Sequence, residues 1–287
     1  MDKNRVTPDI NRIVSHIKDL PTLPRSVLKI TALVNNPQAS AKDLSGVITD
    51  DQVLTARLLR LVNSSFYGFP QRIATVTNAI VLLGFDAIRN LLLTTSIFGV
   101  FSKKSDINGK QLERYWDHAL GCAVGAKIIG NCIKYDNEEE LFVAGLLHDI
   151  GKIVEILFIP EEFEKVRQHA ETEKTLIHEA EEIILGYNHT DIGELLAQKW
   201  NLPEKLSHVI AFHHSPSTSK QFLKETTIIH FADILCRSLD LGFGGDNRIP
   251  RLDFEALKKL EIKQKDIRMI MEKMEIEFQT MKGLFEY

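Results

Sequence analysis

The chain is poor in cysteine. Cys122, Cys132 and Cys236 are the three in 287 residues. They are widely spaced and form neither a CxxC pair nor an even framework, which excludes a disulfide-stapled scaffold and points to a reducing, cytoplasmic compartment. Long apolar runs are also missing. The most apolar stretch, AIRNLLLTTSIFGVF from Ala87 to Phe101, is broken by Arg89 and Asn90 and is shorter than the roughly 20 residues a membrane span needs. The opening segment MDKNRVTPDINRIVSHIKDL is too polar for a signal peptide, so no membrane partner is expected. Basic charge is not in excess: 35 Lys and Arg face 39 Asp and Glu, a net charge of −4. With no basic-aromatic stripe either, nucleic acid is not an expected partner. No low-complexity tract, short-period repeat or strand-like alternation is visible.

What remains is an ordinary globular composition, 44% hydrophobic and 26% charged, long enough for one large domain or two. Helical periodicity dominates. It predicts helices over Ile10–Leu20, Ser26–Val34, Asp51–Val62 and Thr77–Leu83, the last closed by Gly84. Ser40 with Asp43 three residues on resembles an N-cap pair, and Asp86 is placed to cap the helix that follows. Asn63 to Gln71, NSSFYGFPQ, reads as a loop. The polar run Lys103–Lys110 is the best boundary, which divides the chain into an N-terminal helical subdomain, 1–105, and a second helical part, 106–287. Further helices are expected over Gln111 to about Ile133, Glu138 to about Phe158, Glu161–Lys174, Ile177–Leu185, Thr190–Trp200, Glu204–His213 and Thr226–Leu239. Leu241–Pro250 reads as a flexible loop, and Asp253–Phe285 supplies one or two terminal helices. The fold class is all-α.

The segment Ala144-Gly145-Leu146-Leu147-His148-Asp149-Ile150-Gly151-Lys152 sets three ionisable groups among apolar residues. Buried without partners they would cost several kcal/mol, on the order of a broken ion pair. A bound cation removes that cost, because imidazole and carboxylate are both ligands. Gly151 allows a turn or a close backbone approach beside the pair. His118, His189, His213, His214 and Asp233 each lie in or beside an apolar helical segment and are candidates for the same site. Lys152 is a phosphate-binding candidate. A histidine on a helix is more often a surface or hydrogen-bonded core residue, and His16, His169, His178 and His208 are read that way. Mixed His and carboxylate ligation suits one or two divalent ions of iron, manganese or zinc rather than magnesium.

The ordered series His118, His148-Asp149, His189, His213-His214, Asp233 resembles the HD superfamily of metal-dependent phosphohydrolases. The LPTLP segment Leu20–Pro24, the run Asp50–Gly68 and the run Thr77–Gly84 are similar to the pattern of HDOD domain proteins of bacterial signal transduction. The resemblance implies an HD-domain-like helical bundle with an additional N-terminal helical subdomain. It also implies one metal held by His118, His148, Asp149 and Asp233, with Asp149 bridging to a second held by His189, His213 and His214, and Lys152 facing a substrate phosphate. Two departures separate the chain from the related HD-GYP enzymes. Arg114 stands where those have a glutamate, four residues before His118, and Ser215-Pro216-Ser217 follows His213-His214 where they have a glutamate and the GYP segment. Cyclic di-guanylate hydrolysis is therefore not expected.

Two roles follow. One is a signalling module with a metal site, acting on signalling proteins or a small phosphorylated ligand. The other is a phosphohydrolase with Asp149 and Lys152 as catalytic residues and with Lys152 and Arg114 contacting an anionic substrate. The aromatics Phe66, Tyr67 and Phe69 could anchor a partner, but packing between the two halves is the favoured use.

Overall fold

A computed structural model describes residues 25–34, 36, 38–49, 51–64, 67–85, 87–88, 91–92 and 109–282. Among these every regular element is helical. The expected helix over Ile10–Leu20, the Asp86 cap, Phe66 and the boundary at 105–106 lie outside the described residues. The first helices are α1 (Arg25–Val34), α2 (Ala41–Thr49), α3 (Gln52–Val62) and α4 (Val76–Leu83). The second part contains α5 (Gly109–Cys132), α6 (Glu138–Leu147), α7 (Ile150–Phe158), α8 (Pro160–Glu173), α9 (Ile177–Ile184), α10 (His189–Lys199), α11 (Glu204–Phe212), α12 (Leu223–Ser238), α13 (Phe254–Lys258) and α14 (Gln264–Lys282). No described helix is long and apolar enough to cross a membrane.

Local chemistry sets the helix starts. Ser40 and Asp43 cap reciprocally: the Asp43 N–H donates to Ser40 Oγ at 3.2 Å and the Ser40 N–H to Asp43 Oδ2 at 2.9 Å. Asp51 accepts the Leu54 N–H at 3.0 Å and starts α3. Gly84, at φ 88°, ends α4 by donating its N–H to Ile80 O.

α5 is the central helix, packed on α6, α12 and α14. Residues 226–236 of α12 and 141–147 of α6 are buried without a break, as expected of helices that are apolar all round. α5 and α6 approach closely at Gly145, where a Cβ would lie 2.7 Å from Ala123 Cα and 2.8 Å from Ala123 N. α5 and α6 therefore meet backbone to backbone.

One continuous core includes Leu44, Leu58 and Ile80 of the first half and Ala123, Phe142 and Ile229 of the second. Asn63 ties down its own loop by donating to Leu59 O and Ile73 O and accepting from the Ile73 N–H. Tyr67 then reaches across: its hydroxyl donates to Glu139 Oε2 at 2.9 Å, and its ring lies 4.4 Å beneath the Lys127 ammonium, which pairs with Glu139. Tyr67 and Phe69 stack and pack against the core. In this fold the loop's described aromatics join the halves.

One expected helix is two. The span Glu138–Phe158 breaks at His148-Asp149, where Asp149 leaves helical geometry at φ −102°, ψ 18°. The break turns both side chains inward, which a straight helix would not do.

The glycines give a fold test. Gly145→Ala is expected to lower stability by about 1–3 kcal/mol through overpacking. Gly46→Ala, on an exposed turn of α2 with nothing within 4 Å of its Cβ, is expected to raise it by about 0.5–1 kcal/mol. Chemical denaturation midpoints that moved in the same direction would contradict this packing.

Candidate metal centre

Five elements aim side chains at one point. His118 projects from the middle of α5, and His148 and Asp149 occupy the break between α6 and α7. Asp149 stands at an N-cap position but makes no capping bond, so its carboxylate is available to the interior. Gly151 lets the start of α7 lie against the start of α10, since a Cβ there would fall 1.9 Å from His189 O. His189 is the first residue of α10, fixed by a reciprocal cap between Asn188 and Asp191. His213 and His214 follow the last turn of α11, and Asp233 sits in buried α12.

Asp149 is the hub. Its Oδ2 lies 2.6 Å from Lys152 Nζ, 3.3 Å from His148 Nε2 and 3.5 Å from His118 Nε2. Its Oδ1 lies 3.3 Å from His189 Nε2 and 3.5 Å from His213 Nε2. His214 Nε2 is 3.0 Å from His189 Nε2. Two sets of donor atoms result, His118–His148–Asp149 and Asp149–His189–His213–His214, each with its atoms within 4.8 Å of one another.

The far side of three rings fixes the state of the near side. Nδ1 of His148 contacts Gly145 O at 2.6 Å, that of His213 contacts Ile210 O at 3.0 Å, and that of His189 contacts Glu181 Oε2 at 2.7 Å. These acceptors place the ring proton on Nδ1 and leave the Nε2 lone pair facing Asp149. His118 Nε2, His148 Nε2, His213 Nε2 and Asp149 Oδ1 are buried with no hydrogen-bond partner. Each orphaned group costs about 1–3 kcal/mol, and a cation between them would satisfy them together. The donor set thus fits a metal on its own geometry.

The remaining expected residues sit at the edges. Asp233 Oδ1 is 3.1 Å from His118 Nε2 and 3.3 Å from Arg237 Nε, so it touches the first set while paired outward. Lys152, 1% exposed, donates to Asp149 and to Gly244 O. Arg114 is exposed, with its guanidinium 4.8 Å from the Phe243 ring centre. His230 accepts the Asp253 N–H and contacts His213 O, one layer out. The loop expected to be flexible, 241–250, is pinned: the Phe243 N–H donates to Arg114 O, Gly244 O accepts from Lys152 and Arg237, and Asp246 pairs with Arg237 and accepts the Ile177 N–H.

Two functional neighbours escape a sequence reading. Glu181 lies in the acidic run His178-Glu179-Ala180-Glu181-Glu182 and looks solvated. Ile177, Ala180, Glu181 and Ile184 nevertheless fall at i, i+3, i+4, i+7, the inward stripe of α9, and that spacing is the available signal. His178, which the sequence presents as an ordinary histidine, stacks on His214 with ring centres 4.2 Å apart.

Electrostatics follow from burial and these pairs. Burial alone would push the Asp149 carboxyl up, but His148 and Lys152 beside it foremost hold it well below the usual carboxylate range. Burial also opposes the charged form of Asp233, which Arg237 foremost restores. His213 is pushed down to about 4, chiefly by burial. Burial likewise drives His178 down to about 3 and His214 well below its ordinary value. For His189 burial acts downward, and the Glu181 carboxylate outweighs it.

An unfolded imidazole takes its proton near pH 6.5, whereas folded His213 does so at about 4. Between those values the unfolded chain binds more protons, so stability falls as pH falls. His178 and His214 act in the same sense, whereas His118 and the buried Glu155, both held well above their ordinary values, and His189, raised, act in the opposite one. The urea midpoint of metal-free wild type is expected to fall more, or rise less, between pH 7 and pH 5 than that of His213→Asn, with His213 contributing about 2 kcal/mol to the difference. The same pH dependence in both proteins over that range would contradict the neutral, buried state of the His213 ring.

Comparison with known proteins agrees with this architecture. The HDOD domain family matches residues 20–216. An uncharacterized protein of Treponema pallidum (strain Nichols) is 31% identical over 244 residues, 83% of this chain and 46% of that protein, so the chain spans about half the length of this curated relative. The crystal structure of an HDOD domain protein with unknown function from Geobacter sulfurreducens is 29% identical, with a TM-score of 0.82 over 96% of this chain and 97% of that one. A Shewanella amazonensis SB2B protein provisionally named a phosphohydrolase shares the fold, at 24% identity and a TM-score of 0.74 over 95% of this chain and 97% of that one. With the family matching well over half its length, and an all-helical fold shared with the Geobacter protein, the chain belongs to the HDOD family.

Proposed function

We propose that this chain is an HDOD signalling module that holds a working metal centre of one or two ions of iron, manganese or zinc, bridged by Asp149. The carrying observation is the pair of donor sets that share the Asp149 carboxylate, with orphaned Nε2 atoms facing it. His118 and His148 form one side, with Asp233 reaching His118. His189, His213 and His214 form the other. Such ions polarise phosphoryl oxygens and lower the pKa of bound water. The chain's own residues hold the imidazoles in one tautomer, keep Asp149 ionised and restrict water.

The signalling role draws support from α6. Glu139, in its first turn, takes the Tyr67 hydroxyl from the first half, and His148 follows its last residue. One rigid ten-residue helix, about 15 Å long, thus connects the junction between the halves to the metal centre. Occupancy of the centre is felt at the surface built by the first half, where a partner signalling protein would dock.

A second reading, hydrolysis of a phosphate ester, is favoured by the shared carboxylate itself, the arrangement that two-metal hydrolases use. Lys152 beside Asp149 is then the cation that meets a phosphate oxygen. For Arg114, exposed on Phe243, that role requires the guanidinium to leave the ring.

Elemental analysis of purified protein is expected to find iron, manganese or zinc at one or two per chain. His148→Ala and His213→Ala should each weaken one set by more than the roughly 10–100-fold that loss of an outer hydrogen-bond partner costs, and Asp149→Asn should weaken both. Metal-free protein whose titration with Mn²⁺ is unaffected by all three substitutions would sink this reading. Turnover of phosphomonoesters that is lost in Asp149→Asn would favour hydrolysis over signalling alone.

A further inference from the structure

His230 is a buried histidine that belongs to neither donor set. It lies on α12 one turn before Asp233 and is 1% exposed. Both of its ring nitrogens meet backbone groups of other segments. Nε2 faces the Asp253 N–H at 3.0 Å, and Nδ1 faces His213 O at 2.8 Å. A backbone N–H can only donate and a carbonyl can only accept. Nε2 therefore presents its lone pair, and the proton on Nδ1 is donated to His213 O. Asp253 extends the contact. Its Oδ2 accepts the Ser217 N–H and its Oδ1 the Ala256 N–H, each at 3.0 Å, and the second of these bonds starts α13.

His213 O belongs to the peptide unit that joins two candidate ligands, His213 and His214. That unit is planar, so the direction of its carbonyl fixes the backbone from which both imidazoles start. The end of a helix leaves its last carbonyls without intrahelical partners, and His213 stands at the C-cap of α11. The His230 ring supplies a donor there, while Asp253 grips Ser217 farther along the same segment. We propose that His230 is a positioning residue for the second donor set. Its Nδ1–H holds the His213–His214 peptide in the orientation that brings His213 Nε2 to Asp149 and His214 Nε2 to His189. The Asp253 N–H holds His230 in the tautomer that makes this bond. α12 then serves both sides of the centre, the first set through Asp233 and the second through His230. The bond stands on its own geometry, whereas its effect on metal binding rests on His213 and His214 being ligands, as proposed above.

Two backgrounds isolate the two sets. His148→Ala weakens the first, so that bound Mn²⁺ reports the second, and His213→Ala does the reverse. In the His148→Ala background, His230→Leu is expected to lower Mn²⁺ affinity about 10–100-fold. His230→Asn, which keeps an N–H donor in the place of Nδ1, should stay within about 3-fold of its parent there. In the His213→Ala background both substitutions should stay within about 3-fold. A general loss of packing acts on both sets alike, so equal losses in the two backgrounds overturn the proposal. So does His230→Leu binding as its parent in the His148→Ala background. If His230→Leu does not fold, His230→Phe, which fills the space of the ring without a donor, takes its place in both comparisons. Nitrogen-15 NMR of metal-free wild type at neutral pH should show His230 as the Nδ1–H tautomer, and the Nε2–H tautomer overturns the proposal whatever the metal does. Mn²⁺ held by the first set alone overturns it while the metal reading survives, and wild-type protein that binds no Mn²⁺ overturns both.

Discussion

The fold around the site is arranged to keep one ionised carboxylate, Asp149, in the interior. A lone buried carboxylate would take a proton or unfold the chain. Here a lysine and the Nε2 edges of four imidazoles surround it. α5, α7 and α10 each carry one of those partners, and His148 and His213 follow the ends of α6 and α11. The α6–α7 break, the glycine at 151, the start of α10 at His189 and the end of α11 at Phe212 all serve that convergence. The lysine compensates the charge on its own, and a cation held between the imidazoles would satisfy their buried lone pairs as well.

Much of this is legible in the sequence. Uniformly helical periodicity points to the all-α class, and the apolar setting of His148-Asp149 marks the hub. Position in a local pattern also exposes His189 and His213-His214, because both lie where a helix begins or ends. Three things are hidden. The break at His148-Asp149 looks like continuous helix, since nothing between Leu147 and Ile150 is a helix breaker and the inward turn is imposed by tertiary contacts. Glu181 is masked by its acidic neighbours, even though it occupies an apolar stripe. The loop 241–250 has a flexible composition, yet Arg237, Lys152 and the Arg114 carbonyl fix it. Local sequence reports propensity, whereas these features depend on partners brought in from distant parts of the chain, as Ile177 and Lys152 are to this loop.

The first half meets the helix that leads to the site at its junction. Tyr67, Glu139 and Lys127 combine a hydrogen bond, an ion pair and a cation–ring contact at the start of the helix whose end leads into His148. That geometry suits a protein in which metal state and surface state are linked. It is compatible with catalysis at the same centre, because the shared carboxylate serves both uses. The departures at Arg114 and at Ser215-Pro216-Ser217 separate this chain from the HD-GYP pattern. Arg114 lies on α5 ahead of His118 and Ser215 directly follows His214, and neither adds a donor to the two sets.

The claim on which the account depends is that the donor sets sharing Asp149 hold metal. Anomalous diffraction from crystals grown with Mn²⁺ tests it most directly. The account predicts an anomalous peak against His118 and His148, against His189, His213 and His214, or against both, and two peaks would lie about 3.5–4 Å apart. Crystals of Mn²⁺-treated protein with no peak beside Asp149 would contradict it.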